Sequence, residues 1–194
     1  VMWTAVATKL ATQFWPGPMT LVLPLKPDSG LSPLVTAHLR SLAIRVPANP
    51  LAQDLLRQFD GPVAAPSANP SGRISPTTAR HVIRGLNGQI DAVIDGGNCA
   101  VGLESTIIGL GETPTVLRPG GLASDAIEAC LGQRLTHHQS SDPLNAPGQM
   151  RSHYAPTARL RLNAKTARSG EVLLGFGAVT ADMNLSPDGD LVEA

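Results

Sequence analysis

In Gly61-Pro62-Val63-Ala64-Ala65-Pro66-Ser67-Ala68-Asn69-Pro70-Ser71-Gly72-Arg73-Ile74-Ser75-Pro76, a short apolar run gives way to small polar residues just ahead of a helical pattern. Val63 to Ala65 has the length and character of a buried strand end. From Pro66 to Pro76 come three prolines, three serines, one asparagine and one glycine, before helical periodicity starts at Thr77. A strand ending in hydroxyl and amide residues ahead of a helix exposes backbone N–H groups beside a positive dipole end. That is the arrangement of a phosphate or nucleotide cradle. An ordinary proline-rich connection has the same composition. In an extended backbone Ser67, Asn69 and Ser71 share one side, where they face a ligand or cap the next helix. Ser75 could equally N-cap the helix from Thr77.

On the N-terminal side, the spacing of Trp3, Val6, Ala7, Leu10 and Phe14 predicts an amphipathic helix over 3–14, ended by Trp15-Pro16-Gly17-Pro18. Met19–Leu25 and Leu42–Val46 read as strands around a proline- and serine-bearing loop. Asn49–Phe59 reads as a helix with Asn49 as cap, Pro50 at its first position, and Leu51, Leu55, Leu56 and Phe59 inward. On the C-terminal side follow a helix from Thr77 to Leu86 with Ala79, Val82, Ile83 and Leu86 inward, and a strand at Ala92–Asp95. Further strands are expected at Glu104–Leu110 and Thr115–Leu117, then a helix at Ser124–Leu131 capped by Ser124. Strands and helices mix without strict alternation. The expected fold is therefore α/β of the α+β type, a twisted mixed sheet with packed helices.

From Gly132 the composition turns polar, so residues 132–158 read as a linker between a first domain at 1–131 and the start of a second, small α/β domain at 159–194. Strands are expected there at Arg159–Leu162 and Glu171–Phe176, with Leu185–Asp190 as a helix cap. Both chain ends read as interrupted. Lysine plus arginine and aspartate plus glutamate are both 15 of 194 residues, which gives no bulk charge for nucleic acid or membrane. Aromatics are only 3%, so the core must be aliphatic. Cys99 and Cys130 lack ligand spacing and read as free buried thiols. No apolar run is of membrane-spanning length, and a cytoplasmic protein is expected.

Several residues outside the opening stretch could carry chemistry. Ser41 and Arg45 fall on one face of a strand, and Arg45 lies in an apolar setting where a carboxylate, a phosphate or an internal acid would suit its planar fork. Ser105 and Thr106 start an apolar strand after a glycine-bearing loop, and Arg118 ends another beside Gly120-Gly121. Met150-Arg151-Ser152-His153-Tyr154 sets Arg, His and Tyr together within the linker, as a segment folding over a site would. No metal-ligand spacing, nucleophile triad or P-loop is present.

With these residues collected, the chain resembles the YrdC-like family, the L-threonylcarbamoyladenylate synthases, in its longer two-domain form. The matching stretches are FWPGPMTLVLP (14–24), SLAIRVP (41–47), GPVAAPSANPSGRISPTTA (61–79), DGGNCAVGLESTIIGL (95–110), VLRPGG (116–121) and APGQMRSHYAP (146–156). The resemblance implies a nucleotidyltransferase that uses ATP, with magnesium carried on it, L-threonine and bicarbonate. The product, threonylcarbamoyl-AMP, would pass to the tRNA threonylcarbamoyl-transfer machinery, with weak or no direct nucleic acid binding by this chain. It implies ATP contacts from Ser41, Ser67, Ser75, Arg118 and Tyr154. Arg45, the Ala65 backbone and Ser105 would hold threonine, with Asn69, Thr106 and Arg151 in support, and no protein nucleophile or resident metal is expected. The family's Thr-Glu-Thr-Val-Tyr-Gly-Leu-type motif and Lys-x-Arg cluster have no counterpart in these residues, so the first domain is expected to lack its N-terminal part. Two other readings stay open, an RNA-binding module of the same fold, with Arg73, Arg80 and Arg84 as its basic face, and a carbamoyl-transfer domain.

Overall fold

In a computed structural model, the structure describes residues 1–138 and 158–190. The chain divides into two compact units, Val1–Ala155 and Pro156–Ala194. The first holds a five-stranded sheet with helices, the mixed α/β architecture expected. Its elements are α1 (Ala5–Phe14), β1 (Met19–Pro24), β2 (Ser41–Ile44), α2 (Pro50–Phe59), α3 (Ala79–Leu86), β3 (Thr106–Leu110), β4 (Pro114–Arg118), α4 (Ser124–Leu131) and β5 (Thr136–His137).

The strands lie in the order β2-β1-β3-β4-β5. Strand β1 pairs antiparallel with β2 and parallel with β3, β3 pairs antiparallel with β4, and β4 parallel with β5. The apolar runs Met19–Leu23 and Thr106–Leu110 are buried throughout. Side chains alternate across the sheet. Met19, Leu21, Leu23, Ile108, Leu110 and Val116 form one face, packed with Ala7 and Leu10 of α1 and Ile127 of α4. Val22, Ile107 and Leu117 make a smaller cluster on the other face.

Local chemistry sets the helix ends. The Asn49 side chain accepts from the Ala52 N–H at 3.2 Å with Pro50 in the first turn, as the sequence predicts. Helix α3 starts two residues later than expected, because Thr78 and not Ser75 is its cap, accepting from the His81 N–H at 3.2 Å. Helix α4 begins without a side-chain cap, so Ser124 does not fill that role. It ends on Gly132, whose φ of 73° suits a residue without a Cβ.

Other expectations are corrected. Ala92–Asp95 and Val63–Ala65 are not strands. The apolar stripes of α2 and α3 are not inward, since neither helix has a buried residue. Beyond Gly132, Leu135 is buried, its N–H donates to Glu128 of α4 at 2.8 Å, and Thr136–His137 forms β5. Both cysteines are free, but Cys99 is exposed and Cys130 half-buried.

The second unit holds two short parallel strands, β6 (Leu174–Gly175) and β7 (Met183–Asn184). The strand expected at Arg159–Leu162 is absent, and only the middle of the run Glu171–Phe176 is a strand. Leu185–Asp190, expected as a helix cap, forms a turn in which the Asp190 N–H donates to Ser186 Oγ at 2.9 Å. Arg161 is paired with the Glu171 carboxylate and donates to the Thr166 carbonyl at 2.9 Å. Among the described residues, no helix is long and apolar enough to cross a membrane.

Ile108→Ala, at a fully buried position, is expected to cost about 2–5 kcal/mol in denaturant unfolding. Leu34→Ala, at an 83% exposed side chain, is expected to stay within about 0.5 kcal/mol. The Arg161 guanidinium, and after it the Arg168 N–H, pull Glu171 from 4.5 down to about 2. The pair's contribution to the second unit is therefore complete above pH 4.5 and is lost as the pH falls towards 2. A carboxyl NMR titration of Glu171 with a midpoint near 4.5 would refute this.

Candidate functional site

The register of the sheet collects polar groups at one end of its open face. The pairing Met19↔Thr106 aligns the starts of β1 and β3, and Ile107↔Arg118 brings the end of β4 beside them. The pairing Leu21↔Ile44 brings the end of β2 there as well. Ser105 is buried, with its hydroxyl 2.7 Å from that of Thr20 on the neighbouring strand. The half-buried Arg118 reaches across, its Nη2 donating to the Ser105 carbonyl at 2.9 Å and to Ser105 Oγ at 3.3 Å.

Arg45 follows β2 directly, and its Nε donates to the Gly17 carbonyl at 3.0 Å. The Gly17 N–H in turn donates to Val46, at 2.9 Å, which extends the β1–β2 ladder past Met19. Among the described residues, no carboxylate is ion-paired with Arg45. Burial lowers its pKa first and the positive charge of Arg118 second, while Cys99 opposes both. Two guanidinium groups thus stand near enough to repel, a placement suited to an anion lying between them.

Glycines let the backbone close around this cluster. A Cβ on Gly120 would lie 2.6 Å from Ser105 C and Thr106 N, and one on Gly17 would collide with the Phe14 carbonyl. Thr106 is wholly buried and supports the cluster from the helix-covered face. Its hydroxyl donates to the Leu122 carbonyl at 2.6 Å and accepts from the Leu122 N–H at 3.0 Å, tying down the turn after β4.

Ser41 shares the open face with Arg45 but sits at the far end of β2, opposite Pro24 and about 13 Å away at ~3.3 Å per residue. It lines a groove of about 610 Å³ together with Val22, Gly109, Thr115, Leu117 and His138. The open face therefore runs from a hydroxyl-lined groove to a pair of cations.

The loop 61–76 is joined to the cluster by no hydrogen bond or ion pair among the described residues. Ser67 and Ala65 are exposed there and Ser75 is half-buried. Asn69 folds the loop on itself, its Nδ2 donating to the carbonyls of Pro70 and Arg73 at 3.0 Å each, while its buried Oδ1 accepts no hydrogen bond. The start of α3 is linked towards Arg45 through Cys99, whose N–H donates to the Thr77 carbonyl at 2.9 Å. Arg151 and Tyr154 lie outside the described residues. Thr20, Gly17 and Cys99 were not singled out by the sequence reading. The signal for Thr20 was available, as the one hydroxyl residue in an otherwise apolar strand.

Two family models match the chain. The Sua5–YciO–YrdC model, described as "Telomere recombination", covers residues 2–120, and "Threonylcarbamoyl-AMP synthase, C-terminal domain" covers 122–185. The threonylcarbamoyl-AMP synthase of Bacillus subtilis is 47% identical over 80% of this chain and 46% of its own length. That of Pyrococcus abyssi is 46% identical over 79% of this chain and 46% of its own. The chain thus spans about half the length of the curated relatives it matches. Among solved structures, P. abyssi Sua5 complexed with L-threonine is similar over 100% of this chain and 63% of that one, with a TM-score of 0.83 at 37% identity.

Replacing Gly120 with Ala is expected to cost about 1–3 kcal/mol in chemical unfolding, because the added methyl meets backbone. Gly111→Ala, where the space is open, should cost less than about 0.5 kcal/mol. Equal costs at the two positions would show that Gly120 does not need the close approach.

Proposed function

The chain belongs to the Sua5–YciO–YrdC family, and from that premise we propose that the protein it forms part of is an L-threonylcarbamoyladenylate synthase. The observation that carries this reading furthest is the placing of Arg45, Ser105 and Arg118 together at the strand ends. Its substrates are L-threonine, bicarbonate and ATP, which brings its own magnesium. The threonine amine takes up bicarbonate with loss of water. The carbamate oxygen then attacks the α-phosphorus, the bond to the bridging oxygen breaks, and pyrophosphate leaves.

Arg45, the Ala65 backbone and Ser105 hold the threonine. A P. abyssi relative of the same fold was solved with L-threonine, which supports an amino acid as the substrate. Arg118, Ser41, Ser67, Ser75 and Tyr154 take the nucleotide, and Arg151 offsets phosphate charge. No protein nucleophile is needed, since holding the carbamate in line with the α-phosphate and stabilising developing negative charge supply the rate. The product passes to the tRNA threonylcarbamoyl-transfer machinery in the cytoplasm. The two domains are read as 1–131 and from 159 on, with β5 of the first sheet lying in the segment that connects them.

In the complete protein, pyrophosphate release from ATP should require both L-threonine and bicarbonate. Arg45→Ala is expected to lower kcat/KM about 100-fold or more by removing a charge that stabilises the reacting groups. Ser67→Ala should lower turnover by a smaller factor. Unchanged kinetics in both variants would overturn the site, and activity that prefers carbamoyl phosphate to threonine plus bicarbonate would overturn the reaction.

A further inference from the structure

Between Met19 and Leu21 in β1 stands Thr20, 7% exposed, on the same face of the sheet as the apolar cluster of Val22, Ile107 and Leu117. Valine has nearly the same shape and suits a strand at least as well, so the strand itself does not need the hydroxyl. Burying a hydroxyl costs stability unless it is hydrogen-bonded. Among the described residues, the Thr20 hydroxyl has one partner, Ser105 Oγ at 2.7 Å, and Ser105 is itself only 6% exposed.

The protons of this pair follow from what each group can give and take. Distance alone lets either oxygen donate to the other. Ser105 Oγ has one proton and two lone pairs, and the Arg118 guanidinium, which only donates, occupies one lone pair at 3.3 Å. If Ser105 donated to Thr20, the Thr20 proton would be left buried with no acceptor among the described residues. If Thr20 donates, its one proton is used and both Ser105 lone pairs are filled. Ser105 then accepts nothing more and has a single proton to give. Such a hydroxyl suits a ligand group that accepts, and beside a guanidinium a carboxylate fits best.

We propose that Thr20 is a positioning residue of the threonine subsite: its hydroxyl donates to Ser105 Oγ and, together with Arg118, commits Ser105 to donate to the carboxylate of L-threonine. This rests on the reading in which Ser105 holds the threonine. Thr20 touches no reacting atom and acts only by fixing the direction of one hydrogen bond. That bond is made to the substrate in the ground state and the transition state alike, so its loss falls on threonine binding and not on turnover.

Steady-state pyrophosphate release by the complete protein tests this. Thr20→Val is expected to raise KM for L-threonine about 10-fold or more, the scale of a lost hydrogen bond to a charged group, with kcat and the KM for ATP within about 2-fold of wild type. Thr20→Ser keeps the hydroxyl and should return the threonine KM to within about 3-fold of wild type. Thr20→Ala removes the hydroxyl with a different change of shape and should reproduce the valine effect. In a Ser105→Ala background, Thr20→Val should add less than about 2-fold, because the two residues act through one hydrogen bond. The proposal alone is overturned by an unchanged threonine KM in Thr20→Val, an equal rise in the ATP KM, or no rescue by serine. A full further loss in the Ser105→Ala background would also overturn it, by making Thr20 a substrate contact in its own right. Wild-type protein that releases no pyrophosphate with L-threonine and bicarbonate would overturn both the proposal and the reading beneath it.

Discussion

The parallel pairing of β1 with β3 is the constraint on which the first unit depends. Its partners are 87 residues apart in sequence, so closing it costs loop entropy that only extensive burial can offset. That burial is present: both strands are sealed from solvent, and Leu21, Leu23, Ile108 and Leu110 share one core with α1 and α4. The same register that buries these residues brings Thr20 against Ser105 and leaves Arg118 within reach of the Ser105 carbonyl. Core and site are thus two faces of one alignment. A slip of one residue would turn Ser105 into the core and Thr106 onto the open face.

The parts of the fold legible in sequence were those whose signals are local or doubly supported. Uninterrupted apolar runs announced β1 and β3, and Asn49-Pro50 announced α2, because cap and first-turn chemistry involve only near neighbours. Val63–Ala65 and Ala92–Asp95 carry strand composition, but composition expresses a preference for pairing and cannot provide the partner. Periodicity likewise described α2 and α3 as amphipathic without revealing that no described element covers them. In the site, Arg45, Ser105 and Arg118 were legible because each lies where an apolar run meets glycine or proline. Thr20 showed only as the one hydroxyl in an apolar strand, and its role depends on a residue 85 positions away.

The way the two arginines are held bears on what the site can do. Arg45 is steered by a main-chain carbonyl, Gly17, and Arg118 by another, Ser105. A carboxylate in place of the Gly17 carbonyl would fix the Arg45 guanidinium equally well but would cancel its charge, leaving less field for an incoming anion. A carbonyl orients with a dipole and leaves the net charge in place. The electrostatic cost appears at Arg45, whose pKa is lowered by burial and by Arg118, yet an arginine starts so far above neutrality that it stays protonated. Lysine would tolerate this less well, as a burial-sensitive point charge without a planar fork. Arg45, held by backbone and ion-paired with no carboxylate among the described residues, keeps its charge beside Arg118, and that repulsion is relieved when an anion arrives. That relief adds to binding a favourable contribution absent from the empty site, and it is largest for a ligand whose negative charge spans both guanidinium groups.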